Sequence, residues 1–330
     1  MSSINPGIRS TANASLSSFA SSRTTLTGAT MAFDIPTMGK AQFMDAGGIK
    51  TRYFERGSGP CVVLLHGGHM GSPTEVQTAS VWSTIFDRLG DGIRVIAIDR
   101  LGQGYTDNPK AADDYTLDAS AAHVAAVLRE FGNGPYHLVG HDEGAFVAAQ
   151  ISVEHPGLVA SLVLVSANTL TPGVDRRNIV QANPPVPLMS RQSLRWMFET
   201  ASPSHLSVTE EWLDEPVDVA KSDRNVEAVE VMQADDRYLR SYVGSWNRRR
   251  SELHRFIHAN GLPCPTLVVW GLDDPIAPFS NAEYLMELLA PKQRETELRV
   301  FNRSGYYVFR EHPNAFCRTV RSFVESHTNA

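Results

Sequence analysis

The pentapeptide Gly140-His141-Asp142-Glu143-Gly144 follows an apolar run at 136–139 and opens a helical pattern at 145–155. Glycines on both sides of a sharp strand-to-helix turn let the central side chain project toward a substrate. The start of the helix adds unpaired N–H donors and a partial positive charge, and both favour an anion. A serine at the centre of such a G-x-S-x-G turn is a nucleophile; here the residue is Asp142. A carboxylate can attack saturated carbon to give an ester, or it can take a proton as a base. An aspartate that merely caps the helix is the plain alternative, and its place between the glycines argues against it.

Three other features belong with this turn. His66-Gly67-Gly68-His69 follows the apolar run 61–65. Glycines there let the backbone approach a reacting oxygen, so the N–H groups of Gly68 and Glu143 are candidates for an oxyanion hole. Next, Trp270-Gly271-Leu272-Asp273-Asp274-Pro275 puts a carboxylate at the end of a late strand; Asp274 is the expected orienting acid, with Asp273 as the alternative. Finally, Glu143 adjoins Asp142. Two carboxylates facing one dry pocket cannot both ionise freely, so one pKa rises toward neutrality. Such a pair suits proton abstraction, decarboxylation or C–C cleavage without a covalent intermediate, whereas a Glu143 turned to solvent would do nothing.

The elements that must position these residues are legible as hydrophobic patterns. Two short strands about Gly47-Gly48, within 42–56, suggest an antiparallel hairpin. Apolar runs at 61–65, 94–98, 136–139, 162–165, 266–270 and 297–301 alternate with amphipathic stretches at 81–89, 121–131, 145–155, 282–289 and 315–324. This rhythm describes an α/β fold, a mostly parallel central sheet with helices on both faces. From 170 to 260 the alternation stops, and Pro184, Pro185, Pro187 and several aromatic residues accompany helical patterns only. A helical cap over the carboxyl ends of the strands is the expectation, because ligands bind there. The chain divides into a leader at 1–35, core at 36–169, cap at 170–260 and core again at 261–330. Residues 2–30 are rich in Ser and Thr and hold no acidic residue. A transit peptide has that composition, but a disordered tail, or a true start at Met31, explains it more simply.

Composition bounds the rest. The 330 residues are 42% hydrophobic and carry a net charge of −6, so nothing suggests a nucleic-acid partner. Arg248-Arg249-Arg250 reads as a solvated helix face. Cys61, Cys264 and Cys317 lack metal-ligand spacing, and no apolar run approaches a membrane span. A cytoplasmic enzyme of small molecules is expected, with no metal, cofactor or membrane and with a homodimer left open.

In this order, these segments resemble the α/β-hydrolase superfamily across 42–325. The stretches 97–104, 206–211, 270–274 and 305–316 look like the meta-cleavage-product hydrolases, which hydrolyse C–C bonds in ring-opened aromatic dienoates. The resemblance implies an α/β-hydrolase fold with a cap, and three departures qualify it. Asp142 replaces the family's serine, as in haloalkane dehalogenases and epoxide hydrolases. Tyr306 occupies the place of the catalytic histidine in Gly305-Tyr306-Tyr307, and a phenol with a pKa of about 10 is a donor, not a base, at neutral pH. Pro216 stands where the family's cap arginine clamps the substrate carboxylate. Dehalogenases place a halide-binding Trp where this chain has Glu143; epoxide hydrolases use cap tyrosines as acids, a role open to Tyr238 and Tyr242.

The expected catalytic set is therefore Asp142, Asp274 and Tyr306. His69, Tyr238, Tyr242 and Tyr307 are candidates for substrate contact, and His141 is expected to be structural. The expected activity is hydrolysis of a C–C, ester or epoxide bond in a small hydrophobic, aromatic-derived or carbonyl substrate. Non-hydrolytic acid–base chemistry through Asp142 and Tyr306, or ligand binding without turnover, is the alternative.

Overall fold

Continuous apolar runs can only be buried on both faces, and here they form the interior of one sheet. A computed structural model describes Ile35 and residues 37–132 and 134–328. The leader, apart from Ile35, lies outside the described residues, as does Met31. Eight strands are present: β1 Gln42–Asp45, β2 Lys50–Arg56, β3 Cys61–Leu65, β4 Arg94–Ile98, β5 Tyr136–His141, β6 Val159–Val165, β7 Thr266–Gly271 and β8 Thr296–Phe301. Their order is β1-β2-β4-β3-β5-β6-β7-β8. The first two form the hairpin and run antiparallel to their neighbours; all other pairs are parallel. Every residue of β3, β5 and β7 is buried.

Helices α1 Ser83–Leu89, α2 Leu117–Phe131 and α3 Glu143–Glu154 follow β3, β4 and β5. Between β6 and β7 the described residues contain no strand but five helices, α4 Arg177–Val180, α5 Arg191–Thr200, α6 Glu210–Ala220, α7 Asp223–Gln233 and α8 Gly244–Asn260. Then come α9 Phe279–Leu289, α10 Val308–Glu311 and α11 Pro313–Ser326. Three of the inserted helices begin behind a hydroxyl that satisfies an otherwise unpaired backbone donor. The side chains of Ser190, Thr209 and Ser222 accept from the N–H groups of Ser193, Trp212 and Asn225. Residues 238–243 wind as a π-helix into α8, and that short irregular segment turns out to line the site.

Two arginines tie the insertion to the core by ion pairs. Arg52 of β2, fully buried, pairs with Asp99 beyond β4 and Glu215 of α6, each at 2.7 Å. Arg249 of α8 reaches Asp118 of α2 at 2.7 Å and Glu154 of α3 at 3.4 Å, while Arg250 donates to the Thr171 carbonyl oxygen at 2.7 Å. The run 248–250 is thus no merely solvated face: two of its three arginines dock α8 on the core. Among the described residues, no helix is long and apolar enough to cross a membrane.

Candidate active site

The turn between β5 and α3 is as tight as its glycines suggest. A Cβ on Gly144 would collide with the Leu65 carbonyl oxygen, and one on Gly140 would collide with that of Gly144. Asp142 sits between them at φ 47°, ψ −111°. That conformation costs a non-glycine residue about 1–3 kcal/mol, and it places the side chain beyond the carboxyl ends of the strands.

Asp142 is buried and surrounded by donors. Its Oδ2 accepts from the Tyr306 hydroxyl at 2.5 Å and from Arg177 Nη2 at 2.9 Å. Its Oδ1 accepts from the Thr169 hydroxyl at 2.5 Å and from the Thr169 N–H at 3.2 Å. Burial alone would raise its pKa, but the Arg177 charge and the hydrogen bonds from Glu143 and Thr169 outweigh it and hold the carboxyl well below the usual range. Glu143 goes the other way. Burial, and then the Asp142 charge, push it well above the usual carboxylate range, and its Oε2 has no hydrogen-bond partner. The two adjacent carboxyls are thus driven in opposite directions, Asp142 toward the anion and Glu143 toward the acid.

Tyr306 is buried, and burial followed by the Asp142 charge raises its pKa well above 10. It stays a donor. His141 supports it from behind: its Nε2 donates to the Tyr306 carbonyl oxygen at 3.0 Å, and the two rings lie 4.3 Å apart. Burial lowers the His141 pKa to about 4, so the ring is neutral at pH 7. Among the described residues no histidine hydrogen-bonds to Asp142.

A cavity of about 600 Å³ opens on this turn, a size that suits small ligands. Asp142, Glu143, His69, Tyr238 and Tyr242 line it. His69 packs on Tyr238 with ring centroids 4.8 Å apart and stands 3.9 Å from Glu75 Oε1. Burial, with Arg177 nearby, takes its pKa down to about 3. Gly68 has φ +77°, and its carbonyl oxygen is held by Arg100 and Gln103. It is not among the lining residues, whereas Glu143 is.

Two expected site residues lie elsewhere. Tyr307 turns into the core: its hydroxyl accepts from Gln77 Nε2 at 2.9 Å and its ring packs 5.2 Å from that of Trp212. Asp274 makes no hydrogen bond to Tyr306 or Asp142. Its Oδ1 accepts from the N–H groups of Ile276 and Ala277, and its Oδ2 from Ser166 at 3.1 Å. These contacts tie it to its own loop, and burial pushes its pKa up to about 8. Asp273 is exposed.

Sequence reasoning missed Arg177, Thr169 and Glu75. Arg177 Nη2 also lies 2.8 Å from the Tyr306 hydroxyl, and its Nη1 lies 3.3 Å from Glu75 Oε1. Pro216, which the resemblance sets at the place of a cap arginine, is buried inside α6; Arg177 enters this site from α4, at the start of the insertion. The one available signal was the Arg176-Arg177 pair soon after the β6 strand end.

A parallel sheet with a carboxylate elbow after its fifth strand and a helical insertion after its sixth defines an enzyme of the α/β-hydrolase superfamily. The chain belongs to that family, described as alpha/beta hydrolase fold and matched over residues 60–313. It is similar to the 2-hydroxy-6-oxo-6-(2'-aminophenyl)hexa-2,4-dienoic acid hydrolase of Metapseudomonas resinovorans, 27% identical over 86% of this chain and 90% of that protein. It is also similar to the 2-hydroxy-6-oxo-2,4-heptadienoate hydrolase of Pseudomonas putida, 28% identical over 84% of this chain and 94% of that one. Among solved structures, a meta-cleavage product hydrolase from Pseudomonas fluorescens IP01 superposes with a TM-score of 0.71 at 25% identity, covering 88% of this chain and 98% of that one.

Proposed function

We propose that the chain catalyses proton transfer on a small carbonyl compound through the Asp142–Glu143 pair, with no covalent enzyme intermediate. The observation that carries this reading is the saturation of Asp142, whose two oxygens hold Tyr306, Arg177 and Thr169, beside an acidic, unsaturated Glu143. A carboxylate held by several donors is a weak nucleophile. Among the described residues no histidine hydrogen-bonds to Asp142, and His69, which shares the cavity, is held neutral with a pKa down to about 3, a weak base for activating water.

In this mechanism Glu143 donates its proton to Asp142 within their shared hydrogen bond as Oε2 takes a proton from the carbon beside the substrate carbonyl. Both carboxyls are then protonated, and the negative charge has passed to the substrate as an enolate. Return of a proton to a different substrate atom completes a tautomerisation, and a C–C bond broken between the two transfers makes the reaction a lyase step. Tyr306 and Arg177 hold the anion in place, while His69, Tyr238 and Tyr242 contact the substrate. The carbonyl is carried over from the relatives, whose names specify a 6-oxo group.

A second reading, hydrolysis with Asp142 as nucleophile, draws on the elbow conformation at φ 47°. The two are separated by incubating the protein with 6-oxo dienoates, 1,3-diketones, epoxides and aryl esters in D2O. Deuterium exchange is followed by NMR, and the protein is weighed by intact-mass spectrometry. Exchange or product without an adduct, lost in both Glu143→Gln and Asp142→Asn, is expected. An ester mapped to Asp142 would overturn the proton-transfer reading in favour of the nucleophilic one.

A further inference from the structure

The charges lining the cavity are lopsided. Among the described lining residues are five carboxyl groups, on Glu75, Asp142, Glu143, Asp175 and Asp236, against the single guanidinium of Arg177. That guanidinium is already engaged by Asp142 at 2.9 Å and Glu75 at 3.3 Å. His69 adds no charge, since its ring is neutral at pH 7. An anionic substrate finds no unpaired cation in this lining, while a cation finds the exposed carboxylates of Asp175 and Asp236 at the rim and the buried anion of Asp142 deeper in.

Between these depths stands an aromatic wall. The rings of Tyr238 and Tyr242 stack at 5.8 Å with 18° between their planes, and His69 lies 4.8 Å from the first and 5.7 Å from the second. Both tyrosines lie on the π-helical segment 238–243, four residues apart and so on one face of it. Two buried polar atoms here have no partner: Glu143 Oε2, on a residue 6% exposed, and the Tyr242 hydroxyl, on a residue 3% exposed. Buried polar atoms are rarely left unpaired unless a ligand or water completes them. Electron-rich ring faces beside carboxylates are the recognition chemistry for an ammonium group.

We propose that the cavity binds a substrate bearing an ammonium group, seated against His69, Tyr238 and Tyr242 with the acidic rim drawing it in. This deepens the preceding reading, because it names the substrate class of the same cavity, yet it is testable without turnover. Three probes share a bulky trimethyl head and differ in charge: choline, its neutral carbon isostere 3,3-dimethylbutan-1-ol, and 3,3-dimethylbutanoate, in which a carboxylate replaces the CH2OH group. Titrated calorimetrically into the full chain, choline is expected to bind at least about tenfold more tightly than the neutral alcohol. Tyr238→Leu, at a half-exposed position, should shrink that ratio severalfold without unfolding the protein. Equal affinity for choline and the alcohol, or tightest binding of the carboxylate, would overturn the proposal. Because the probes do not react, a cation preference without deuterium exchange counts against the proton-transfer reading alone, and exchange without the preference counts against this one alone.

Discussion

The phenol of Tyr306 donates to Asp142 Oδ2 across 2.5 Å, joining residues 164 positions apart. A histidine at this place could act as a base, but the phenol only donates. It thereby lowers the basicity of the carboxylate it touches and leaves Glu143 as the group that carries the proton.

Tyr306→Phe removes that donor and keeps the ring that packs on His141. On any substrate that turns over, kcat should fall about a hundredfold with KM little changed. A fall in kcat/KM through KM alone would show that Tyr306 only shapes the pocket.

Arg177→Met leaves the carboxylates of Asp142 and Glu75 uncompensated. Removing one partner of a buried ion pair costs about 3–5 kcal/mol, and the lower part of that range is expected because the Arg177 side chain is 20% exposed. Urea denaturation should show the deficit at pH 8 and a smaller one near pH 5, where the freed carboxyls can take up protons. A deficit independent of pH would mean that Arg177 acts by packing.

Asp274 provides a pH signature. Its pKa is about 8 in the folded chain against about 3.9 unfolded, so the native state binds the extra proton between those values. Stability from this group is complete below about pH 4 and drains away as pH rises toward 8. Asp274→Asn keeps an acceptor for the N–H groups of Ile276 and Ala277. Relative to the parent, its melting temperature should gain steadily from pH 4 to pH 8. A constant difference between the two proteins would refute the assignment.

Arg52→Met tests how the insertion is held. It strips the counter-charge from Asp99 and Glu215, both buried, and should cost about 3–5 kcal/mol in chemical denaturation. Double replacement with Glu215→Met should recover part of that loss, since the penalty comes from the uncompensated carboxylates.

Much was decided locally and could therefore be read from the chain. Strands β3 to β7 are runs of apolar residues that only a sheet covered on both faces can bury, and their boundaries lie within a few residues of the expected ones. The carboxylate elbow is written in Gly140 and Gly144, where any side chain would collide with backbone. The pairing of one raised and one lowered carboxyl was also foreseeable from adjacency, because neighbours on a helix start share their burial. What only the tertiary structure decided was which distant groups meet. Arg177 comes to Asp142 from the insertion that follows β6, Tyr306 and Tyr307 part company although adjacent in sequence, and Asp274 turns to its own loop. The π-helical turn that carries Tyr238 and Tyr242 has no periodic signature either. These outcomes depend on distances of a few ångströms between segments folded together, and charge and hydrogen bonding change steeply over such distances, whereas hydrophobic period and turn chemistry are set within a dozen residues.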